Sequence, residues 1–405
     1  MDTITHGIVG ALIGKAFFAG RDEPSANGEA ARSDRGARVA IVATTIGAIF
    51  PDIDTFAGPL ARNPFAIMEW HRNITHSLVM LPVWAVLLAL LTRVLVRWRD
   101  WQSPSWVRLF LIYAVGLGSH IFLDVITSFG TMVWSPLRYT RVTWDWMFIL
   151  DFTLVALALV PQLVAWSLRR PDRQLRRALG VWIACTGAAF GIYAVADAAG
   201  FAFGRWVVGL ASALVALAVS VPAIDGWGFG VRRSSWCRAG FVLVAAYIAL
   251  AGIAHHAALA RTEAFADAHH LRVVNLGALP TPPSVATWDG LVRTPEGVYR
   301  LPMDLRHAEM PAAIYYADTA RARTISEASE LHPVQVYLWF ARFPWFQSTE
   351  SNGRRVLDVS DLQFLRISEG TPGASFGPGS VSFTMEVVFD RSGRALSADW
   401  ARPSK

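Results

Sequence analysis

Residues 118–127 read GSHIFLDVIT and place two ionisable side chains, His120 and Asp124, in or just beside an apolar run, 107–125, long enough to be a membrane helix. On a helix, positions i and i+4 share a face about 6 Å apart, the reach at which an imidazole and a carboxylate can share one cation. Ionisable groups are costly in lipid, and they mark functional sites there. The same pair also reads as a buried hydrogen bond joining two helices. Which reading holds depends on the company the pair keeps.

The rest of the chain fixes the class. Of its 405 residues 53% are hydrophobic and only 17% charged, with mean hydropathy +0.36, against roughly 25% charged in soluble domains. That is the composition of an integral membrane protein. Apolar runs able to cross a hydrocarbon core of about 30 Å fall near 77–97, 107–125, 147–168, 178–203, 205–224 and 239–260. Two shorter runs, 5–19 and 38–50, read as tilted spans or half-buried helices. Asp2 stands where a signal peptide would be basic, and no small-residue cleavage site follows, so the first run is expected to stay in the mature protein.

A net charge of +6 invites a nucleic-acid reading, but the arginines sit at the ends of apolar runs. Arg93, Arg97, Arg99 and Arg108 lie between the first two long runs; Arg169, Arg170, Arg173, Arg176 and Arg177 follow the third; Arg232, Arg233 and Arg238 precede the last. By the positive-inside rule these loops are cytoplasmic, as is the one holding Lys15, Arg21, Arg32, Arg35 and Arg38. The opposite loops carry only Arg62, Arg72, Arg138, Arg141 and Arg205. Eight segments then put the N-terminus and everything after Arg261 outside the cytoplasm, in a multi-pass inner-membrane protein whose contact is lipid, with no nucleic-acid partner.

Cys185 and Cys237 fall in mid-span and at a predicted cytoplasmic end, so neither a disulfide framework nor a cysteine zinc site is expected. Most of Trp84, Trp98, Trp101, Trp106, Trp134, Trp144, Trp146 and Trp166 lie near span ends, as an interfacial aromatic belt does. The composition changes near residue 262. The expected architecture is therefore mostly α, a polytopic helical membrane domain over 1–261 followed by a β-rich extracytoplasmic domain over 262–405. Within the second, VQVYLWFARF and VSFTMEVVFD read as half-buried strands, with turn signals at SNGRR, EGTPG and DRSGR. His269, His270, His307 and His332 show no metal-ligand spacing and read as surface or core histidines. Asp197, Asp225, His255 and His256 read as interfacial or near-interfacial.

Residues 1–151 hold nearly all the other ligand-type side chains in or near the membrane. MDTITHG supplies Asp2 and His6; PDIDTF supplies Asp52 and Asp54; HRNITHSL supplies His71 and His76; WDWMFILD supplies Asp145 and Asp151. Imidazole and carboxylate without thiolate suit Zn, Mn, Fe or Mg, and hydrolytic two-metal sites are built from such sets. In the charge-derived topology His6, Asp52, Asp54, His71, His76, His120, Asp124, Asp145 and Asp151 all fall toward the extracytoplasmic ends of their segments, which favours one shared site. Each motif also has a local reading: a cap at Thr5, an exposed turn at PDID, a cap at Asn73 or Thr75.

The ordered set THG, PDID, HRNITHS, GSHIFLDVITSFGT and DWMFILD resembles the YdjM-type family of membrane-bound metal-dependent hydrolases, over about residues 1–155. The stretch TPPSVATWDGLVRTPEGVYR looks like the soluble tail of longer members. Where the pattern leads one to expect Asp-Pro, this chain has Asp151-Phe152. The family is in turn distantly similar to zinc-dependent phospholipases C and single-strand nucleases. That similarity maps an N-terminal His, a bridging Asp, a further His and a His-x-x-x-Asp pair onto His6, Asp52 or Asp54, His71 or His76, and His120 with Asp124. The second His-x-x-x-Glu pair of those enzymes is missing here.

The resemblance and the convergence together imply a membrane-embedded hydrolase of an ester or phosphoester, on a lipid or lipid-linked substrate. His6, Asp52, His71, His76, His120 and Asp124 are the expected ligands of one or two divalent ions, zinc in the first instance, with Mn or Fe as alternatives. Asp54 is expected to bridge metals or act as general base, Asp145 and Asp151 to complete the shell or orient a histidine, and Arg72 to hold a substrate oxyanion. Two rivals stand beside this reading: a non-catalytic protein whose metal staples its helices, and a metal-ion or proton transporter.

Overall fold

The computed structural model describes residues 1–18, 29–60, 65–99, 104–198, 204–224, 226–281, 285–309, 312–351, 354–364 and 384–401. Arg21, Arg62, Trp101, Asp225, the EGTPG turn, the centre of SNGRR and the first residues of VSFTMEVVFD lie outside them. The chain opens with helix α1 (Thr3–Ile13), prolonged by a π-helical turn over Gly14–Phe18. Asp2 caps α1, its carboxylate accepting from Thr5 N at 3.0 Å. Then come α2 (Glu29–Ile49), a 3-10 stretch over Phe50–Leu60, α3 (Ala66–Trp70), α4 (Leu81–Trp98), α5 (Trp106–Val125) and α6 (Phe152–Ser167). The bundle continues through α7 (Gln174–Ala198), α8 (Trp206–Ile224), the single turn α9 (Trp227–Gly230) and α10 (Arg233–Ala268).

Among the described residues, six stretches are long and apolar enough to cross a membrane: Gly36–Phe56, Leu81–Trp98, Trp106–Val125, Pro171–Ala198, Trp206–Ile224 and Arg233–Ala268. Thr3–Phe18 and Phe152–Ser167 are shorter apolar helices. Two sequence expectations trade places. The run at 38–50 belongs to a 21-residue candidate span, because the 3-10 stretch carries the helix on to Phe56. The run at 147–168 gives only a 16-residue helix: Met147 is bridged to Thr127 in extended conformation, and the Asp151 carboxylate caps α6 by accepting from Leu154 N at 2.9 Å.

Small residues let α1, α2 and α5 approach backbone to backbone, as membrane helices do where packing must replace the hydrophobic effect. A Cβ on Gly116 of α5 would lie 2.6 Å from the Thr44 carbonyl of α2, and one on Gly10 of α1 would lie 2.5 Å from Ala48 Cβ. Leu12, Ala40, Ala48, Leu109, Ile112 and Leu117 are buried in this layer. These are the elements that bear His6, lead into Asp52, and bear His120 and Asp124.

The 36 residues of α10 extend about 54 Å at 1.5 Å per residue. Its last turns leave the bundle, and Ala258, Phe265 and Ala266 pack on Ala278, Trp288, Val292 and Leu301. The boundary placed at residue 262 thus falls within one continuous helix. The sheet receiving it is an antiparallel meander, β1 (Asn275–Thr281), β2 (Thr287–Thr294), β3 (Gly297–Asp304) and β4 (Ile314–Ala317). After α11 (Ala322–Ala328) and α12 (His332–Phe340) comes a second meander: β5 (Pro344–Ser351), β6 (Arg354–Asp361), β7 (Thr384–Phe389) and β8 (Ala395–Trp400).

VQVYLWFARF, read as a strand from its β-branched and aromatic content, is instead mostly α12. His332-Pro333 opens a helix, with proline in its first turn. Val334, Tyr337 and Phe340 then repeat at a spacing of three, burying one face against Leu357, Val359, Met385 and Val387. His269, His270 and His307 are exposed and His332 sits at the surface, in keeping with the plain reading. Both cysteines are free.

The β-rich region sits on the end of the bundle where the His and Asp motifs gather. Arg342 makes a two-pronged ion pair with Asp145, at 2.7 and 2.8 Å. Phe340 packs on Phe129 at 5.1 Å, and Phe65 and Met68 enter the core of the second sheet.

Candidate metal centre

Four donors from three parts of the chain meet in the interior. Asp52 comes from the 3-10 stretch after α2, His76 from a single 3-10 turn before α4, and His120 and Asp124 from successive turns of α5. His76 Nε2 and His120 Nε2 lie 3.0 Å apart. Asp124 Oδ2 is 3.2 Å from the first and 3.4 Å from the second; Asp52 Oδ1 is 3.6 and 3.5 Å away. Zinc bound to N and O donors at about 2.0–2.2 Å in a tetrahedron separates its ligands by about 3.3–3.6 Å. The observed spacings bracket that edge.

The outer contacts aim these donors. His120 Nδ1–H donates to the Ala48 carbonyl at 2.6 Å, which leaves Nε2 with its lone pair toward the cluster. His76 directs Nδ1 to Asp54 Oδ2 at 3.1 Å and Nε2 inward. Thr3 Oγ1 donates to Asp52 Oδ2 at 2.6 Å, freeing Oδ1 for the centre. Asp124 is fully buried; its Oδ1 meets Arg72 Nη2 at 3.0 Å and the Met1 amino group, while Oδ2 has no hydrogen-bond partner among the described residues. A buried carboxylate oxygen facing two imidazole nitrogens, with no hydrogen bond of its own, is what a cation would satisfy.

The charge balance says the same. Burial alone would lower the pKa of His76, but its contacts with Asp124, Asp52 and Asp54 outweigh it and raise the imidazole to about 10. The three carboxylates around His76 thus favour a positive charge on that ring. Two imidazoles and two carboxylates suit zinc, and also Mn or Fe, and exclude a soft-metal preference. The residues fit a divalent ion.

Asp54 lies outside the tetrad and touches it through His76. It accepts from His71 Nδ1 at 2.8 Å, Arg72 N at 3.1 Å and Thr75 Oγ1 at 2.8 Å, besides its contact with His76. Its oxygens are thus occupied in holding the 71–76 turn. Asp54, His71 and His76 also form a second group of three potential ligands, sharing His76 with the first. Arg72 is buried and held at φ 60°, a conformation rare for a residue with a side chain and common where a site constrains the backbone.

Besides Asp54, His71 and Arg72, three further expected site residues stand outside the tetrad. The His6 ring stacks on His120 at 3.6 Å, with Nε2 3.2 Å from Asp124 Oδ1, so it lines the cluster. Asp145 is turned away at φ 57° and pairs with Arg342. Asp151 caps α6 and accepts from Tyr247 Oη at 2.9 Å. The WDWMFILD motif therefore serves the domain junction and the α6 start, and its carboxylates do not join the metal-type group. Sequence reading missed Thr3, whose place three residues before His6 was the available signal. It also missed the Ala48 carbonyl, which no residue type announces.

Residues 1–198 match the model of the YdjM inner membrane protein family, a stretch that includes the whole tetrad. No curated protein and no solved structure gives a significant match.

Proposed function

We propose that this membrane protein of the YdjM family is a metal-dependent hydrolase of an ester or phosphoester, acting on a lipid or lipid-linked substrate at the extracytoplasmic face of the inner membrane. The observation that carries the reading is the buried Asp52, His76, His120 and Asp124 tetrad with its donors turned inward. When bound, a divalent ion supplies Lewis acidity and an activated water near neutral pH. The chain's own residues supply the rest. Asp54 orients His76 and His71; His71, with its side chain 16% exposed and Nδ1 anchored on Asp54, is the group placed to accept a proton. Arg72 offers a fixed positive charge beside Asp124.

Ile53 and Phe56, 54% and 77% exposed beside Asp52 and Asp54, give the site an apolar lip suited to a lipid chain. The clustering of arginines in the alternate loops supports the extracytoplasmic placement. One feature favours a metal-stapled structural role instead: all four donors are buried protein groups, as in closed structural sites.

Metal analysis of purified protein, combined with turnover of ester and phosphoester lipids by wild type and by His120→Ala/Asp124→Ala, separates these readings. The hydrolase reading expects bound metal and turnover, both lost in the double variant. Metal whose removal lowers only the melting temperature, with no substrate class turned over, supports the structural role.

A further inference from the structure

Besides His6 Nδ1 and Asp124 Oδ2 at the tetrad itself, Arg72 Nε, Thr131 Oγ1 and Arg141 Nη2 are buried polar atoms with no hydrogen-bond partner among the described residues, and Arg72 touches the tetrad through Asp124. They belong to adjoining backbone. Thr131 and Val142 exchange hydrogen bonds at 3.0 and 2.9 Å, and Met132 N donates to Arg72 O at 2.9 Å. A buried donor left unsatisfied is destabilising, so three on neighbouring segments point to an acceptor that the chain does not supply. Two are guanidinium groups, which makes that acceptor an anion.

Arg141 is held in a built setting. Its Nη1 donates to the Phe340 carbonyl at 2.5 Å, and the guanidinium lies 3.8 Å from the Phe340 ring. Phe129 joins the two arginines, its ring 5.6 Å from the Arg141 guanidinium and 4.8 Å from that of Arg72. Gly130, at φ 89°, makes room: a Cβ there would come within 3.0 Å of Arg141 Nε and Nη2. No carboxylate pairs with Arg141 among the described residues. Burial pushes its guanidinium down to about 9; Asp361 and Asp145 do not offset burial together with the nearby Arg342 and Arg72.

We propose that Arg72, Thr131 and Arg141 form a binding site for a phosphate-type oxyanion of the substrate, next to the metal tetrad and completed by the C-terminal domain through Phe340. A tetrahedral oxyanion offers acceptor oxygens in several directions, which suits donors arriving from separate segments, and guanidinium forks match it. Arg72 links the two sites, since its Nη2 touches Asp124 Oδ1 at 3.0 Å while its Nε is unpaired. The role assigned to the anion rests on the hydrolase reading; its binding does not.

The test is titration of the full-length, metal-loaded protein in detergent with inorganic phosphate and, separately, with dodecyl phosphate. Wild type is expected to bind at least one of them. Arg141→Gln is expected to weaken that binding tenfold or more with metal content unchanged. Thr131→Val, which removes only a hydroxyl, is expected to weaken it several-fold and covers the case in which the arginine variant does not fold. Binding of dodecyl phosphate alone assigns the anion to a lipid; binding of both assigns it to soluble phosphoesters as well. No binding of either, or binding indifferent to both substitutions, overturns the proposal. A protein that binds phosphate but holds no metal would sink the hydrolase reading alone. One that turns over neutral esters and ignores phosphate would sink only the anion site.

Discussion

His76 Nε2 and His120 Nε2 face each other at 3.0 Å in a fully buried site, while the opposite nitrogen of each ring is held by Asp54 and by the Ala48 carbonyl. Two imidazoles so anchored gain nothing from each other unless a proton or a metal ion stands between them. The expected outcome is at least one equivalent of a divalent transition metal in protein purified without chelator. His120→Ala should lose it, and chelation should lower the melting temperature by the amount that ligand linkage gives, about 4 kcal/mol of stability at a thousand-fold excess over Kd. Elemental analysis with calorimetry checks both. Metal-free protein melting at the wild-type temperature would contradict the assignment.

Asp54 is expected to act by orientation. Asp54→Asn retains the size and can still accept from Arg72 N and Thr75 Oγ1, but weakens the hold on His71 and His76. Metal affinity should fall about 10–100-fold, the usual effect of losing such a partner, with the metal-free protein still folded. A competition titration against a chromophoric chelator reads this directly. An unchanged affinity with abolished turnover would instead make Asp54 the general base.

Much of this site is legible in the sequence because polar residues in lipid have few reasons to be there. His120 and Asp124 stand out against an apolar helix, and the order of the other motifs adds His6, Asp52, Asp54, His71 and His76 to the same layer. Asp145 and Asp151 misled for a physical reason: each lies beside a span end, where a carboxylate serves a cap or a cross-domain ion pair as readily as a metal. Their partners, Arg342 and the Leu154 amide, are set by tertiary contact and by backbone geometry, which composition does not carry. The strand expected at 334–343 failed similarly, since aromatic and β-branched content spoke for β while the Pro333 start and the spacing of Val334, Tyr337 and Phe340 decided for helix.

The Asp145–Arg342 pair should hold the C-terminal domain over the site. Both side chains are mostly buried, and removing one partner of a buried pair costs about 3–5 kcal/mol because the other charge is left uncompensated. Arg342→Ala is therefore expected to raise hydrogen exchange across the 127–147 loop and speed proteolysis between the two regions. Arg342→Ala/Asp145→Ala together should be less harmful than the sum of the single changes. Strict additivity in that cycle would mean the pair carries no coupling.

In the second sheet, burial and then the facing Glu386 raise the Asp358 carboxyl to about 6. A carboxyl with a raised folded pKa binds its proton more tightly when folded, so its contribution to stability falls as pH climbs from about 4 to about 6 and stays lower above. Asp358→Asn should melt higher than wild type at pH 7, and the gap should close as the pH is lowered to 4. Thermal melts across that range test the sign; a gap that widens toward acid would refute it.

Gly116 links helix packing to the metal site. A Cβ there would approach the Thr44 carbonyl to 2.6 Å and Ala48 N to 3.1 Å, both backbone atoms that no rotamer change can move. Gly116→Ala must therefore push α5 from α2, at about 1–3 kcal/mol for overpacking. Because α5 carries His120 and α2 ends at the Ala48 carbonyl that orients it, metal affinity should fall along with the melting temperature. Gly118→Ala, two residues along α5, is the matched control: its Cβ would meet only Leu81 Cδ1 at an ordinary 3.8 Å. The expected result is a loss of bound metal in the first variant and near wild-type content in the second. Equal behaviour of the two would show that the tetrad tolerates a change in the α2–α5 distance, and that the close approach serves packing alone.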